Sequence, residues 1–163
     1  MNRKYTVEDY LKKIEILHEY VPDCAVTTDI IVGFPGETDE DFNATMDLVK
    51  KVNFASAFTF VYSKREGTVA AKMPNQIPEE VSKERIMKLV ELVNFQTRKH
   101  TEKYEGKVIE ILCEDFDGKK QMYMGRDEYG RMGYFKSESN EIGNFVNIRI
   151  EKANGVSLVG EKV

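Results

Sequence analysis

The stretch DIIVGFPGET, from Asp29 to Thr38, contains the residue types that bind a nucleotide-like ligand at the end of a strand. Ligands of α/β proteins bind beyond the carboxyl ends of the strands, where this glycine-rich turn would lie. Gly33 and Gly36 permit close backbone approach, and the N-terminus of the following helix favours an anion or polar group. The stretch has neither a Walker loop nor GxGxxG spacing. A plain strand-to-helix turn therefore explains it equally well.

A second candidate segment, Tyr62 to Thr68, follows the next predicted strand and would lie at the same edge of the sheet. Its Arg65 has hydroxyl-bearing neighbours and could bind a carboxylate or phosphate through two parallel hydrogen bonds. Considered alone, the segment is better explained as an exposed loop with a solvated run of charges. His18 and His100 have no second histidine or cysteine at ligand spacing, so we assign neither a catalytic role.

Metal chemistry is limited by the two cysteines, Cys24 and Cys113, which lie far apart and form no CxxC or CxxxCxxC pattern. Alone they cannot build a zinc site or an iron–sulfur cluster, because such sites need more thiolate or histidine ligands. Two such thiols suit a reducing cytoplasm. We therefore expect them to be buried as small hydrophobic residues, and we expect no metal site.

Basic and aromatic residues alternate around a predicted hairpin near the C-terminus, a pattern typical of an RNA-binding face on a small β-barrel. Residues 106–163 nevertheless carry a net charge of only −1. A solvated barrel face therefore explains the pattern comparably well. The candidate RNA-binding residues are Lys119, Lys120, Arg126, Arg131, Phe135 and Lys136.

The composition is that of a folded protein with one domain, or a modest domain plus a small one. The 163 residues are 41% hydrophobic and 32% charged, which is enough apolar content to form a core. No apolar run approaches the roughly 20 residues that span a bilayer, and we expect neither a membrane segment nor a secretory signal. The net charge of −4 excludes a generally basic nucleic-acid binder, so an RNA role needs a local patch.

The elements that position these residues begin with a predicted helix from the N-cap Thr6 to Pro22. A strand at 25–34, a helix capped by Thr38 and a strand at 55–63 then form a βαβ unit. Because neither strand alternates strictly between apolar and polar residues, we expect both to be buried on both faces.

Beyond Pro78 the sequence predicts a long helix that ends at Gly106 and becomes polar after Phe95, as a connector would. The periodicity then changes from helical to two, which indicates strands. Short strands with turn residues between them predict a small antiparallel barrel of the OB type. The five predicted strands are 107–114, 122–126, 132–136, 145–151 and 156–163.

Taken in order, these motifs resemble the radical-SAM methylthiotransferases over essentially the whole chain. The matching segments are MNRKYTVEDY, TTDIIVGFPGETDEDF, FTFVYSKREGTVAAKMPNQIP, GR at 125–126 and IGNFVNIRI at 142–150. The stretch AFTFVYSKREGT and the lack of a DAPEIDG-like segment favour the branch that acts on isopentenyladenosine in tRNA. Related branches act on threonylcarbamoyl-adenosine of tRNA or on an aspartate of a ribosomal protein.

The resemblance implies an α/β fold in which a partial radical-SAM (TIM-like) barrel remnant precedes a small all-β, OB-like TRAM barrel. The implied domains are the C-terminal part of the radical-SAM barrel at 1–77, a connector helix at 78–106 and an RNA-binding TRAM domain at 107–163. Family members also carry an N-terminal domain with three cysteines and a CxxxCxxC loop, both absent from this sequence. We therefore expect a C-terminal portion of a transferase, inactive alone and without a catalytic residue or metal ligand set of its own.

The family's chemistry uses S-adenosylmethionine and two 4Fe-4S clusters to add a methylthio group to C2 of an adenine next to the anticodon. The resemblance implies a cytoplasmic protein whose partner is the tRNA anticodon stem-loop, and we expect self-association through the exposed barrel edge. A non-enzymatic RNA-binding module is the alternative. The implied S-adenosylmethionine-binding residues are Asp29, Ile31, Gly33, Glu37, Tyr62 and Arg65.

Overall fold

A computed structural model describes residues 3–22 and 24–163, so the first two residues of the MNRKYT segment lie outside it. The chain divides into two compact units, which we call the N-terminal unit (Met1–Gln96) and the C-terminal unit (Thr97–Val163). The division falls inside a long helix that the sequence suggested would be a separate connector.

The N-terminal unit is built around a two-stranded parallel sheet. Thr27 pairs with Ser56 at one end and Val32 with Val61 at the other, and a helix connects the two strands. The predicted βαβ unit, preceded by one more helix, is therefore confirmed. The elements are α1 (Val7–Tyr20), β1 (Thr27–Val32), α2 (Asp39–Val52), β2 (Ser56–Val61), a 3-10 turn (Ala70–Lys72) and α3 (Glu79–Glu102), which continues into the C-terminal unit.

Capping boxes fix the start of both helices that flank β1. The Thr6 side chain accepts the Asp9 amide while the Asp9 carboxylate accepts the Thr6 amide, and Thr38 and Asp41 do the same. Each box satisfies amides that have no partner inside a helix. Both caps were predicted from the sequence.

The core of the N-terminal unit lies on one face of the sheet, where Val32, Val49 and Leu89 are buried. Phe58 and Phe60 project from the other face of β2, since alternate residues of a strand share a face, and they are 69% and 50% exposed. The prediction that both strands are buried on both faces is therefore wrong. Their apolar sequence reflects a second face that no described part of this chain covers.

The end of α3 is more buried than a solvated connector would be. Gln96, 6% exposed, donates from Nε2 to the Val49 carbonyl at 3.0 Å within the N-terminal unit. Thr101, 5% exposed, donates its hydroxyl to the Gly155 carbonyl at 2.6 Å within the C-terminal unit. The polar residues here thus form buried hydrogen bonds. Among the described helices, none is both long and apolar enough to cross a membrane.

The C-terminal unit is a closed five-stranded barrel in the order β3-β4-β5-β7-β6. All neighbouring strands are antiparallel except β5 and β7, which are parallel, so the prediction of an antiparallel barrel is wrong at this pair. The parallel pair arises because the segment 137–144 crosses from β5 to β6, and β7 then returns beside β6 through a tight turn at Gly155. The strands are β3 (Val108–Asp117), β4 (Met122–Arg126), β5 (Met132–Lys136), β6 (Phe145–Asn154) and β7 (Ser157–Lys162).

Inward-facing side chains fill the barrel. Ile111, Ile148 and Leu158 are completely buried. Gly125 and Gly160 lie where strands approach closely, because a Cβ on either residue would overlap a backbone carbonyl of the neighbouring strand. Apolar side chains therefore fill the barrel interior, and the polar and charged side chains of this unit lie mainly on its outer surface and loops.

Candidate functional site

The turn after β1, Gly33 to Glu37, is the first candidate site, and we call it the β1 turn. Gly33 and Gly36 have φ values of +73° and +87°, the left-handed region that glycine adopts without strain. A Cβ on Gly33 would overlap the Ser82 hydroxyl of α3, whereas a Cβ on Gly36 would meet nothing within 4 Å. The sequence predicted that a ligand could approach the backbone closely at Gly33, and in the structure it is helix α3 that approaches there.

Glu37 does not project freely from the β1 turn. Its Oε2 atom accepts the Gly33 amide at 2.8 Å and Nη1 of Arg85 at 2.7 Å. Nη2 of Arg85 binds Oδ1 of Asp39 at 2.7 Å. The Arg85 and Glu37 side chains are 8% and 10% exposed, whereas that of Asp39 is 85% exposed. The Glu37 carboxylate thus holds the turn in shape, which is a different role from direct ligand contact.

Arg85 was missed by sequence reasoning, although it lies on the buried stripe of α3, one turn before Leu89. Burial alone would lower the pKa of Arg85, but the hydrogen bonds to Asp39 and Glu37 outweigh it, so the pKa is raised. The guanidinium also faces the Phe42 ring, at 5.7 Å from its centre. A charged residue inside an apolar stripe was the available signal, because such a residue needs a buried partner.

Asp29 and Ile31 lie on the uncovered face of the sheet. In the strand register Asp29 is opposite Phe58 and Ile31 is opposite Phe60. Asp29 is exposed and Ile31 is half-buried. The structure therefore brings these two predicted residues together with two aromatic rings on one open surface, and the β1 turn begins at its end.

Tyr62 also packs at the β1 turn. Its amide donates to the Val32 carbonyl at 2.8 Å, and its ring meets Phe34 edge-on at 5.3 Å. The buried Tyr62 hydroxyl has no hydrogen-bond partner among the described residues, which is costly for a phenol. Arg65, by contrast, is exposed in the following loop, where its carbonyl accepts the Thr68 hydroxyl at 2.8 Å.

The chain's own residues do not fit an iron–sulfur cluster. Within residues 3–22 and 24–163 no group of three or more His, Cys, Asp or Glu is arranged to hold a metal ion. Cys24 is half-buried in the N-terminal unit, and Cys113 is buried in the barrel, where burial raises the pKa of its thiol. A cluster needs several thiolates at one place.

The second candidate site is the outer surface of β4 and β5 with the turn that precedes β4, and we call it the hairpin face. Nζ of Lys120 lies 3.5 Å from the centre of the Tyr134 ring, a cation–π contact. Nη1 of Arg126 binds Oε2 of Glu114 at 2.6 Å, and both side chains remain partly exposed. The hairpin face consists of Lys119, Lys120, Arg126, Tyr134 and Lys136.

Two of the predicted RNA-binding residues lie elsewhere. Phe135 is completely buried and stacks on Tyr123 at 5.8 Å inside the barrel, so its prediction as an RNA-contacting residue is wrong. Because successive residues of a strand face opposite sides, the adjacent Tyr134 lies on the outer surface instead. Arg131 is held in the β4–β5 loop, where Nε donates to Oδ2 of Asp127 at 2.6 Å.

Comparison with known families matches the two ends of the chain to different families. Residues 1–49 match the Radical SAM superfamily. Residues 102–163 match the TRAM domain. The second match covers the whole β-barrel and begins near the end of α3.

Curated relatives match the chain from end to end. A tRNA-2-methylthio-N(6)-dimethylallyladenosine synthase of Caldicellulosiruptor saccharolyticus is 48% identical over 163 residues, which is 100% of this chain and 35% of the relative. Proteins of the same name from Clostridium novyi and Acetivibrio thermocellus are 47% and 46% identical, over 99% and 100% of this chain and 36% and 34% of their own lengths. The chain thus spans about a third of the length of these relatives.

Proposed function

Since this chain belongs to the radical-SAM methylthiotransferase family, we propose that it serves as the RNA-docking and cofactor-closing part of a tRNA methylthiotransferase. The reaction adds a methylthio group to C2 of N6-isopentenyladenosine next to the anticodon. One observation carries the proposal: a 48% identity to a tRNA-2-methylthio-N(6)-dimethylallyladenosine synthase runs without interruption through both units. When bound, S-adenosylmethionine and the iron–sulfur clusters supply the radical chemistry, and the protein positions the reactants. A cytoplasmic location stays a prediction.

The N-terminal unit is proposed to be part of a TIM-like radical-SAM barrel. In support, the described helices pack against one face of its parallel strands, and the other face exposes Phe58 and Phe60. Barrels of parallel strands bury both faces of the sheet. Further strands of a longer chain would therefore cover the open face, and in this chain alone the face favours self-association.

S-adenosylmethionine is proposed to bind where the open face meets the β1 turn. Asp29 and Ile31 lie on this face, and the Gly33 backbone lies at its end. Glu37 supports the turn through its bonds to Gly33 and Arg85 and does not itself touch the ligand. The unpartnered Tyr62 hydroxyl supports a polar group at this place. Arg65 stays a prediction as a contact from the adjacent loop.

The hairpin face is proposed to bind the anticodon stem-loop of tRNA. Residues 118–136 carry a net charge of +3 in a chain whose net charge is −4, and the adjoining Glu114 and Asp117, which pair with Arg126 and Lys120, offset part of it. This local excess of positive charge is what attraction to a phosphate backbone requires. The outer surface of the second and third strands is also the surface that OB-type barrels use for oligonucleotides.

RNA binding is tested by fluorescence anisotropy of a labelled anticodon stem-loop RNA at several salt concentrations. Lys119→Ala and Lys136→Ala should each weaken binding and lower the slope of log K against log salt by about 1, because each removes one phosphate contact. Lys50→Ala, on an exposed side chain of α2, is the matched control and should change neither quantity. Absence of salt-dependent binding, or equal slopes for all variants, contradicts the proposal.

The catalytic part of the proposal is tested with a chimera. The matching third of the Caldicellulosiruptor saccharolyticus relative is replaced by this chain, and the chimera is expressed in cells that lack tRNA methylthiotransferase. Mass spectrometry of digested tRNA should then detect methylthiolated isopentenyladenosine. A chimera that folds and accumulates but leaves only the unmodified precursor contradicts the assigned substrate.

A further inference from the structure

Tyr129, in the loop between β4 and β5, is an exposed aromatic residue held by a rigid turn. The residue is 53% exposed. The amides of Tyr129 and Arg131 both donate to Oδ1 of Asp127 at 2.9 Å, and the Gly130 amide donates to the Asp127 carbonyl at 2.9 Å. Gly130 has a φ of +77°, which closes the turn. The position of the Tyr129 backbone is therefore fixed before any ligand arrives.

The ring of Tyr129 is the outer end of a stack of cationic and aromatic groups. The Arg131 guanidinium lies 4.6 Å from the centre of the Tyr129 ring and 3.7 Å from the centre of the Tyr104 ring. The Lys107 ammonium also lies over the Tyr104 ring, at 5.1 Å. Asp127 holds Arg131 in place through an ion pair with its guanidinium. Contacts of this kind prefer fixed ring and guanidinium orientations.

We propose that the exposed part of the Tyr129 ring is the stacking platform for one unpaired base of an RNA bound at the hairpin face. This inference rests on the proposed function, because it requires that the C-terminal unit binds RNA. Unpaired bases stack on aromatic rings that are flanked by cations, and each such stack contributes about 1–3 kcal/mol.

The exposed ring of Tyr129 favours RNA over an acidic protein as the occupant, since nearby cations would attract either polyanion. Arg131 lies against the Tyr129 ring and Arg126 ends the strand that leads into this loop, whereas the three lysines of the hairpin face lie at the other end of the hairpin. Arg131 and Asp127 neutralise each other. The charge of Glu128 raises the pKa of the Tyr129 phenol, so the ring stays neutral near a phosphate backbone. A neutral ring that packs on Arg131 fits the alternating bases and phosphates of RNA, whereas the acidic side chains of a peptide carry no aromatic ring to stack on it.

The test uses the whole chain and anticodon stem-loop RNAs that carry 2-aminopurine at one loop position at a time. Stacking on Tyr129 should change the fluorescence of the probe at one position. Tyr129→Leu, which keeps an apolar side chain of similar bulk, should abolish that change and weaken binding roughly 5- to 150-fold, the equivalent of about 1–3 kcal/mol. Tyr129→Phe should behave like the original chain, and Tyr20→Leu is the control at an exposed tyrosine of α1.

Salt dependence distinguishes a stacking contact from a phosphate contact. Tyr129→Leu should leave the slope of log K against log salt unchanged, since the ring carries no charge. If the RNA binds with salt dependence but Tyr129→Leu and Tyr129→Phe bind equally well, this inference is overturned and the proposed RNA binding stands. If the chain does not bind the RNA, both are overturned. Poly-glutamate is the competitor that tests for an acidic protein. If it displaces the RNA as well as unlabelled RNA does, and if Tyr129→Leu weakens its binding equally, the inference is overturned in favour of an acidic protein.

Discussion

The Arg85 guanidinium and the Glu37 carboxylate join α3 to the β1 turn through a buried ion pair with a 2.7 Å N–O distance. The same carboxylate oxygen accepts the Gly33 amide at 2.8 Å. One atom of Glu37 therefore fixes both the conformation of the turn and the position of a helix 48 residues further along the chain. The shape of the proposed cofactor site thus depends on a residue that lies outside the glycine-rich motif.

Replacing Arg85 with Met should destabilise the N-terminal unit by about 3–5 kcal/mol, because it leaves the buried Glu37 charge unpaired. A urea titration followed by the methyl NMR signals of Leu89 would measure the loss. Adding Glu37→Gln should recover part of it, since the unpaired charge is then removed.

The matched control to Arg85→Met is Asp39→Asn, which removes the other partner of the same guanidinium. The Asp39 side chain is 85% exposed, so its ion pair should contribute less than about 1 kcal/mol. Equal losses for the two single variants would show that burial does not determine the strength of this interaction.

Alanine at Gly33 should be more destabilising than alanine at Gly36. Both residues have positive φ, so each substitution costs about 1–2 kcal/mol of backbone strain. Only the Gly33→Ala side chain also overlaps the Ser82 hydroxyl, which adds about 1–3 kcal/mol of overpacking. The same urea titration measures both variants.

Ser82→Gly separates the two contributions at Gly33. Ser82→Gly removes the overlapping hydroxyl and Cβ. Measured against the Ser82→Gly single variant, adding Gly33→Ala should therefore lower the free energy of unfolding by no more than Gly36→Ala does in the original chain. If the double variant is no better than the sum of the single ones, the contact with α3 does not account for the difference.

Local patterns predicted much of the fold because their causes are local. Two helix starts were predicted from capping boxes, Thr6 with Asp9 and Thr38 with Asp41, because a capping box involves residues only three apart in the sequence. The strands of the barrel were recognisable from their period and from turn glycines such as Gly155. The helices and strands could therefore be placed without knowledge of tertiary contacts.

Features that depend on contacts distant in sequence were not predicted. Glu37, the partner of Arg85, lies 48 residues away in the sequence, so no local pattern could indicate the role of Arg85 in the candidate site. Phe135 and Tyr134 are neighbours in the same strand, and only the barrel decides which of them faces the core. The apolar sequence of β2 indicated burial on both faces, although Phe58 has no covering partner among the described residues.

The open face of β1 and β2 should make this chain associate with itself. Phe58 and Phe60 are both large and exposed on that face, and burying them in a dimer or higher oligomer is favourable. Sedimentation velocity at increasing protein concentration should show association. The double variant Phe58→Ser with Phe60→Ser should shift the chain toward monomer.

The control for this substitution pair is Tyr20→Ser, since Tyr20 is 79% exposed on α1 and lies outside the open face. It should leave the association unchanged. A chain that stays monomeric at high concentration, or one whose association is equally reduced by Tyr20→Ser, would exclude the open face as the contact surface.

Glu141 should make the stability of the barrel depend on pH in acid. This residue is 6% exposed in the segment between β5 and β6, and its Oε1 atom accepts Nζ of Lys162 at 2.6 Å. Hydrogen bonds from Lys162, Ser139 and Ser137 lower the pKa of Glu141 from 4.5 to about 2. Because the unfolded state binds the proton more readily, this stabilisation is complete above about pH 5 and is lost as the pH falls toward 2.

A comparison of the original chain with Glu141→Gln isolates this contribution from other acidic groups in the barrel. Urea titrations followed by the methyl NMR signals of Ile148 measure the free energy of unfolding of both proteins. The difference between them should be constant near neutral pH and should shrink as the pH falls from about 5 to 2. Glu138→Gln, at an exposed residue of the same segment, should give a curve parallel to that of the original chain. A Glu141→Gln curve that is also parallel would mean that the bond to Lys162 does not join this segment to β7 in solution.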